Sequence, residues 1–89
     1  MNSYLTEDFI KHYRALPQQI REQARKNYRL WKQDARHPSL HFKQIHTTEP
    51  IYSVRIGRGW RALGLREGDA IYWFWIGSHA DYDDLLSRL

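Results

Sequence analysis

The run Ala70-Ile71-Tyr72-Trp73-Phe74-Trp75-Ile76 constrains this chain more than any other segment. It is too apolar to leave either side to water. Its aromatic and β-branched side chains make it a strand rather than a helix. Strict alternation gives it two apolar faces, Ile71, Trp73 and Trp75 on one and Tyr72, Phe74 and Ile76 on the other. One face must meet helices. The other must be covered by a C-terminal helix, by a partner or by stacked bases. The run stops at Gly77 and is followed by Ser78, His79, Asp81 and Tyr82. A rigid strand end is a good support for a histidine with chemistry to do.

Upstream, the pattern is helical. Thr6 is the expected N-cap of a first helix, with Glu7 and Asp8 in the first turn and Phe9, Tyr13 and Leu16 on one face. Pro17 ends that helix or opens the next. A longer helix is expected from about Pro17 to Ala35, with Ile20, Ala24, Tyr28 and Trp31 as its apolar stripe. Beside them runs a basic stripe of Arg21, Arg25, Arg29 and Lys32. His37-Pro38-Ser39 breaks the helix. Strands follow over Leu40 to Ile45, Ile51 to Ile56, Trp60 to Leu65 and Ala70 to Ile76. Gly57-Arg58-Gly59 and Arg66-Glu67-Gly68-Asp69 form tight turns, and a short helix over Ala80 to Leu89 closes the chain. The expected fold is α+β: two N-terminal helices packed on a four-stranded antiparallel meander, plus a short C-terminal helix. Residues 1–89 form a single domain with no internal repeat or linker.

Composition narrows the function. A small core is built from four Trp, six Tyr and three Phe. There is no cysteine, hence no disulfide framework and no thiolate site. No window approaches a membrane span and no signal-like start precedes Thr6, so a cytoplasmic protein without a membrane partner is expected. The net charge is +4. A small basic domain calls for an anionic partner, most often nucleic acid, unless the charge serves solubility alone. His37, His41 and His46 are too loosely spaced for a metal site without cysteines, so neither a metal nor a cofactor is expected.

Two motifs point to a family. Tyr52-Ser53-Val54-Arg55-Ile56-Gly57 followed by Trp60-Arg61-Ala62-Leu63, and Gly77-Ser78-His79-Ala80-Asp81-Tyr82, resemble the core and the ending of the RelE/ParE superfamily of type II toxins, the second as in its YafQ-like branch. The resemblance covers nearly the whole chain. It implies a RelE-like fold, neutralisation by a cognate antitoxin, and one of two activities. The first is ribosome-dependent cleavage of mRNA. The second is non-enzymatic poisoning of DNA gyrase, as in the ParE branch. A degenerate member that only binds antitoxin or nucleic acid is the third reading.

For the nuclease reading the residues offer a specific chemistry. RNA cleavage without a metal needs a base, an acid, and fixed positive charge at the phosphate. His79 is the natural acid/base group, as an unperturbed imidazole titrates near pH ~6.5. Arg55 and Arg61, on adjacent strands, would clamp one phosphate with planar forks. Tyr82 or Asp81 would orient His79, or Tyr82 would stack on a base. Lys43 would add charge, and Arg21, Arg25 and Arg29 would contact RNA phosphates. His41 or His46 would assist His79. Plainer roles are open for each. These are a helix cap for His79, core for Tyr82, and solvated surface for the arginines and Lys43. Strict alternation also sets Arg61 beside Leu63 and Leu65, which a bulge near Gly59 would reset.

Overall fold

In the computed structural model, which describes Met1–Leu89, Thr6 opens the first helix as its sequence foretells. Its Oγ1 accepts from the Phe9 N–H at 3.2 Å and donates to the Trp73 carbonyl at 2.8 Å, which ties the helix start to the sheet. α1 (Glu7–Arg14) and α2 (Gln18–Gln33) form an antiparallel hairpin around Pro17. The Arg21 guanidinium closes that corner by donating to the Leu16 carbonyl at 2.6 Å.

The sheet differs from the expected four-stranded meander. It has five strands, β1 (Asn2–Leu5), β2 (Lys43–Gln44), β3 (Ile51–Gly57), β4 (Trp60–Glu67) and β5 (Ala70–Ser78), in the order β1-β5-β4-β3-β2. β1 pairs with β5 in parallel, so the sheet is mixed. Residues 2–5 lack a clear alternating pattern, and their strand is made by β5, which offers a free edge. Trp73 holds it there through its indole N–H, which donates to the Ser3 hydroxyl at 3.0 Å. The strand expected over Leu40 to Ile45 shrinks to two residues. Pro38–Leu40 form a 3-10 turn, and His41 follows with φ of 47°, a left-handed conformation that ends any strand on its N-terminal side. α3 (His79–Leu86) starts at Ser78, whose hydroxyl accepts from the Asp81 N–H at 3.2 Å.

Both faces of β5 are covered by the chain itself. On the first face α1 and α2 bury Val54, Ile56, Ala62, Ile71, Trp73 and Ile76 with Trp31 and Leu16. On the second, α3 brings Tyr82 down on Ile51 and Leu63, flanked by Phe74, Trp75, Leu85 and Leu86. Trp73 and Trp75 therefore do not share a face as strict alternation requires. Leu63 pairs with Trp75 but Gly64 pairs with Trp73, so Phe74 is an extra residue that reverses the phase. Gly64 sits at this irregularity because a Cβ there would lie 2.7 Å from Ile71 and 2.9 Å from Trp73.

Candidate functional site

The second face of the sheet carries the site. Arg55 and Arg61 are direct cross-strand partners on β3 and β4, so both forks leave the same side. Arg61 belongs with Leu63 and Leu65 as alternation requires; the register shift at this hairpin falls on β3, between Arg55 and Gly57, and leaves the phase of β4 unchanged. The resolution is that this face changes character along β4. Its apolar half lies under α3, and its cationic half begins where the helix begins. Arg61 is half-buried, and its guanidinium lies 5.5 Å from the centroid of the Tyr82 ring. Its Nη1 is shielded from solvent and has no hydrogen-bond partner. Neither arginine forms an ion pair, the three ion pairs of the fold being at Asp69, Asp83 and Asp84. Two guanidinium groups held side by side with no carboxylate between them repel each other, and an anion relieves this.

Tyr82 joins the histidine to this pair. It is buried, and its ring centroid lies 5.8 Å from that of His79. His79 is the first residue of α3. Its backbone N–H donates to the Gly59 carbonyl at 2.7 Å, which pins it beside the β3–β4 turn. The imidazole is half exposed, and Nδ1 lies 3.8 Å from an Asp83 oxygen. Asp83, one helical turn on, is thus the carboxylate beside the ring, and Asp81 is exposed. The cap of α3 is Ser78, which leaves the His79 ring free of that duty.

Lys43 faces Ser53 across β2 and β3. That places it on the Arg55 side, exposed, two residues along the strand. His41 is next to Arg55, with Nε2 3.5 Å from Nη1. His46 instead organises its own loop, with Nδ1 accepting from the N–H groups of Thr48 and Glu49. His37 likewise accepts from the Ser39 N–H. No cluster of histidine and acidic residues has metal-site geometry. The fold therefore gathers His79, Tyr82, Arg61, Arg55 and Lys43 on one surface. It does not bring Arg21, Arg25 and Arg29 there. They ride on α2, across the thickness of the sheet, where Arg21 caps α1 and Arg25 donates to the Tyr13 hydroxyl at 2.7 Å. Ser53, which alternation sets on the Arg55 face, is fully buried with an unpartnered hydroxyl, and only the fold shows that burial. α2 also reaches the site from behind, as the Asn27 amide donates to the Arg55 carbonyl at 3.0 Å.

A helical hairpin on one face of a mixed five-stranded sheet is the fold this chain shares with solved RelE and YafQ toxins. A family model described as the ParE-like toxin domain matches residues 18–84, and the chain belongs to that family. Among solved structures, it is similar to the RelE toxin of Methanococcus jannaschii in its RelB–RelE complex, with a TM-score of 0.74 at 17% identity over 92% of this chain and 96% of that one. The isolated E. coli RelE toxin superimposes with a TM-score of 0.65 at 16% identity, covering 98% and 96% of the two chains. YafQ of E. coli gives 0.66 at 7% identity, covering 91% and 96%. Likeness at these identities speaks to the fold. No curated protein matches the chain in sequence. No helix is long and apolar enough to cross a membrane.

Proposed function

We propose that this protein is the toxin of a toxin–antitoxin pair and that it cleaves mRNA on the ribosome without a metal. The observation that carries the reading is the Arg55–Arg61 pair, fixed by two strands and by Tyr82, with a buried Nη1 and no counter-ion. A phosphodiester supplies the missing charge. The 2′-oxygen attacks phosphorus, the bond to the 5′-oxygen breaks, and the arginines hold the non-bridging oxygens as charge builds. His79 exchanges the proton with the reacting oxygens. Tyr82 supports the Arg61 fork and the His79 ring. RelE proteins of M. jannaschii and E. coli are solved with RelB antitoxins, and a protein antitoxin is the natural partner here too.

A second reading, a gyrase poison, is favoured by one observation: the matching family model is ParE-like. It requires no acid/base group, so an exposed imidazole beside the arginines is surplus to it. Induction of the chain alone in bacteria separates the two. Translation should fall before DNA synthesis does, with mRNA cut. An SOS response that comes first, with mRNA intact, would transfer the case to gyrase.

A further inference from the structure

Two local devices turn Trp75 toward the arginines. Strict alternation along β5 would send its ring to the helix face with Ile71 and Trp73. The unpaired Phe74 reverses the phase, so Trp75 pairs with Leu63 and its side chain lies on the site face. Bulges beside functional sites re-aim side chains in this way. The second device is Gly77. A Cβ there would lie 2.6 Å from Cζ2 and 2.9 Å from Cη2 of the Trp75 indole, closer than any side chain tolerates. Glycine at this position lets the ring lie over the strand. Gly77 is also the cross-strand partner of Arg61, so the indole is laid beside the phosphate clamp.

Packing under α3 does not account for the ring. Leu63 and Tyr82 are buried there, whereas Trp75 between them keeps part of its surface in water. Its neighbours are planar on both sides. The Tyr82 ring centroid is 6.4 Å away, and the exposed His12 of α1 stands on the other side at 6.3 Å. We infer that Trp75 is a base-stacking residue: the base next to the phosphate held by Arg55 and Arg61 lies on the indole, with His12 at its edge. Unpaired RNA is recognised by laying bases on aromatic rings and bonding to their edges. The inference rests on the nuclease reading above and deepens it. Arginines hold a phosphate whatever the sequence. A stacked base fixes the nucleotide beside it, and so helps to align the attacking oxygen. Tyr72 lies on the same face of β5 but stacks on Tyr4 at 5.1 Å, at the end of the strand away from Arg61. It is the natural control.

The test uses a trinucleotide with 2′-O-methyl groups, which has no hydroxyl to attack and stays whole, and the same backbone without bases. Binding is followed by nuclear magnetic resonance of the isotope-labelled protein, with the Trp75 indole N–H assigned from Trp75→Phe. The trinucleotide with bases should move the Trp75 indole and His12 signals, and the abasic one should not. Loss of the bases should weaken binding to the wild type by about 5–150-fold, the range for one stacked base. Trp75→Leu, checked by circular dichroism, should bind both alike, and Tyr72→Leu should keep the full difference. Should Trp75→Leu fail to fold, the wild-type indole signal decides alone. The proposal falls if that signal ignores the bases, if folded Trp75→Leu keeps the difference, or if Tyr72→Leu abolishes it. Equal binding of both trinucleotides with shifts centred on Arg55 and Arg61 overturns the stack and leaves the clamp standing. Shifts confined to α2, or none at all, overturn the nuclease reading with it.

Discussion

Arg61 carries a charge that no carboxylate answers, and its Nη1 is cut off from water. An isolated chain keeps such a group at a cost, because a shielded cation is poorly solvated. Arg61→Leu should therefore leave stability unchanged or improve it, with the melting temperature rising by about 4–8 °C for each kcal/mol gained. The same variant should lose affinity for phosphate-bearing ligands. Calorimetric melting beside RNA titration checks both, and a variant that melts well below wild type would make Arg61 a structural residue. The sequence shows Arg55 and Arg61 as a pair, because their spacing sets them on adjacent strands. It does not show the Asp83 contact to His79, which depends on where α3 starts. Nor does it show His41 beside Arg55, which follows from a left-handed residue that no pattern announces.

Elements decide how far such residues can be trusted to stay in place. Of the features the sequence misread, the shortened β2 follows from the 3-10 turn at Pro38–Leu40 and the left-handed His41, whereas β1 and the phase of β5 are tertiary. β1 exists because β5 has a free edge, and the phase reverses because Phe74 is unpaired between Leu63 and Gly64. The helices, the β3–β4 and β4–β5 hairpins and the closing helix were legible, since each has its own period and its own turn or cap signal. At the irregular register, Gly64→Ala should cost about 1–3 kcal/mol by overpacking against Ile71 and Trp73. Urea unfolding measures this, and a cost within error of zero would mean that the strands part freely there. At the start of α3, Ser78→Ala should remove the cap and cost about 1 kcal/mol. The loss falls on the turn that carries His79 and Tyr82, so cleavage should drop by more than the small unfolded fraction explains. Activity that simply tracks stability would detach α3 from the site.

The whole molecule is organised by its sheet. One face holds cations and a histidine at the end of β5, and the other holds the helix layer. The net charge of +4 was visible at once, but composition cannot say which face bears which part of it. Lys43, Arg55 and Arg61 share the site face, and Arg21, Arg25 and Arg29 do not. Binding of single-stranded RNA should then depend on salt with a slope of about −2, from three phosphate contacts at about 0.7 each. Arg61→Leu should flatten the slope by about 0.7, while Arg25→Ala should leave it alone. A slope that responds to Arg25 as strongly as to Arg61 would place RNA on the helix layer. The most direct measurement of the central claim is primer extension on mRNA in a programmed ribosome, with folding of each variant checked by circular dichroism. The wild type should cut, and His79→Ala should cut about 10²–10⁴-fold more slowly while still binding the ribosome. A folded His79→Ala that cuts at the wild-type rate, or a wild type that leaves the mRNA whole, would contradict the account.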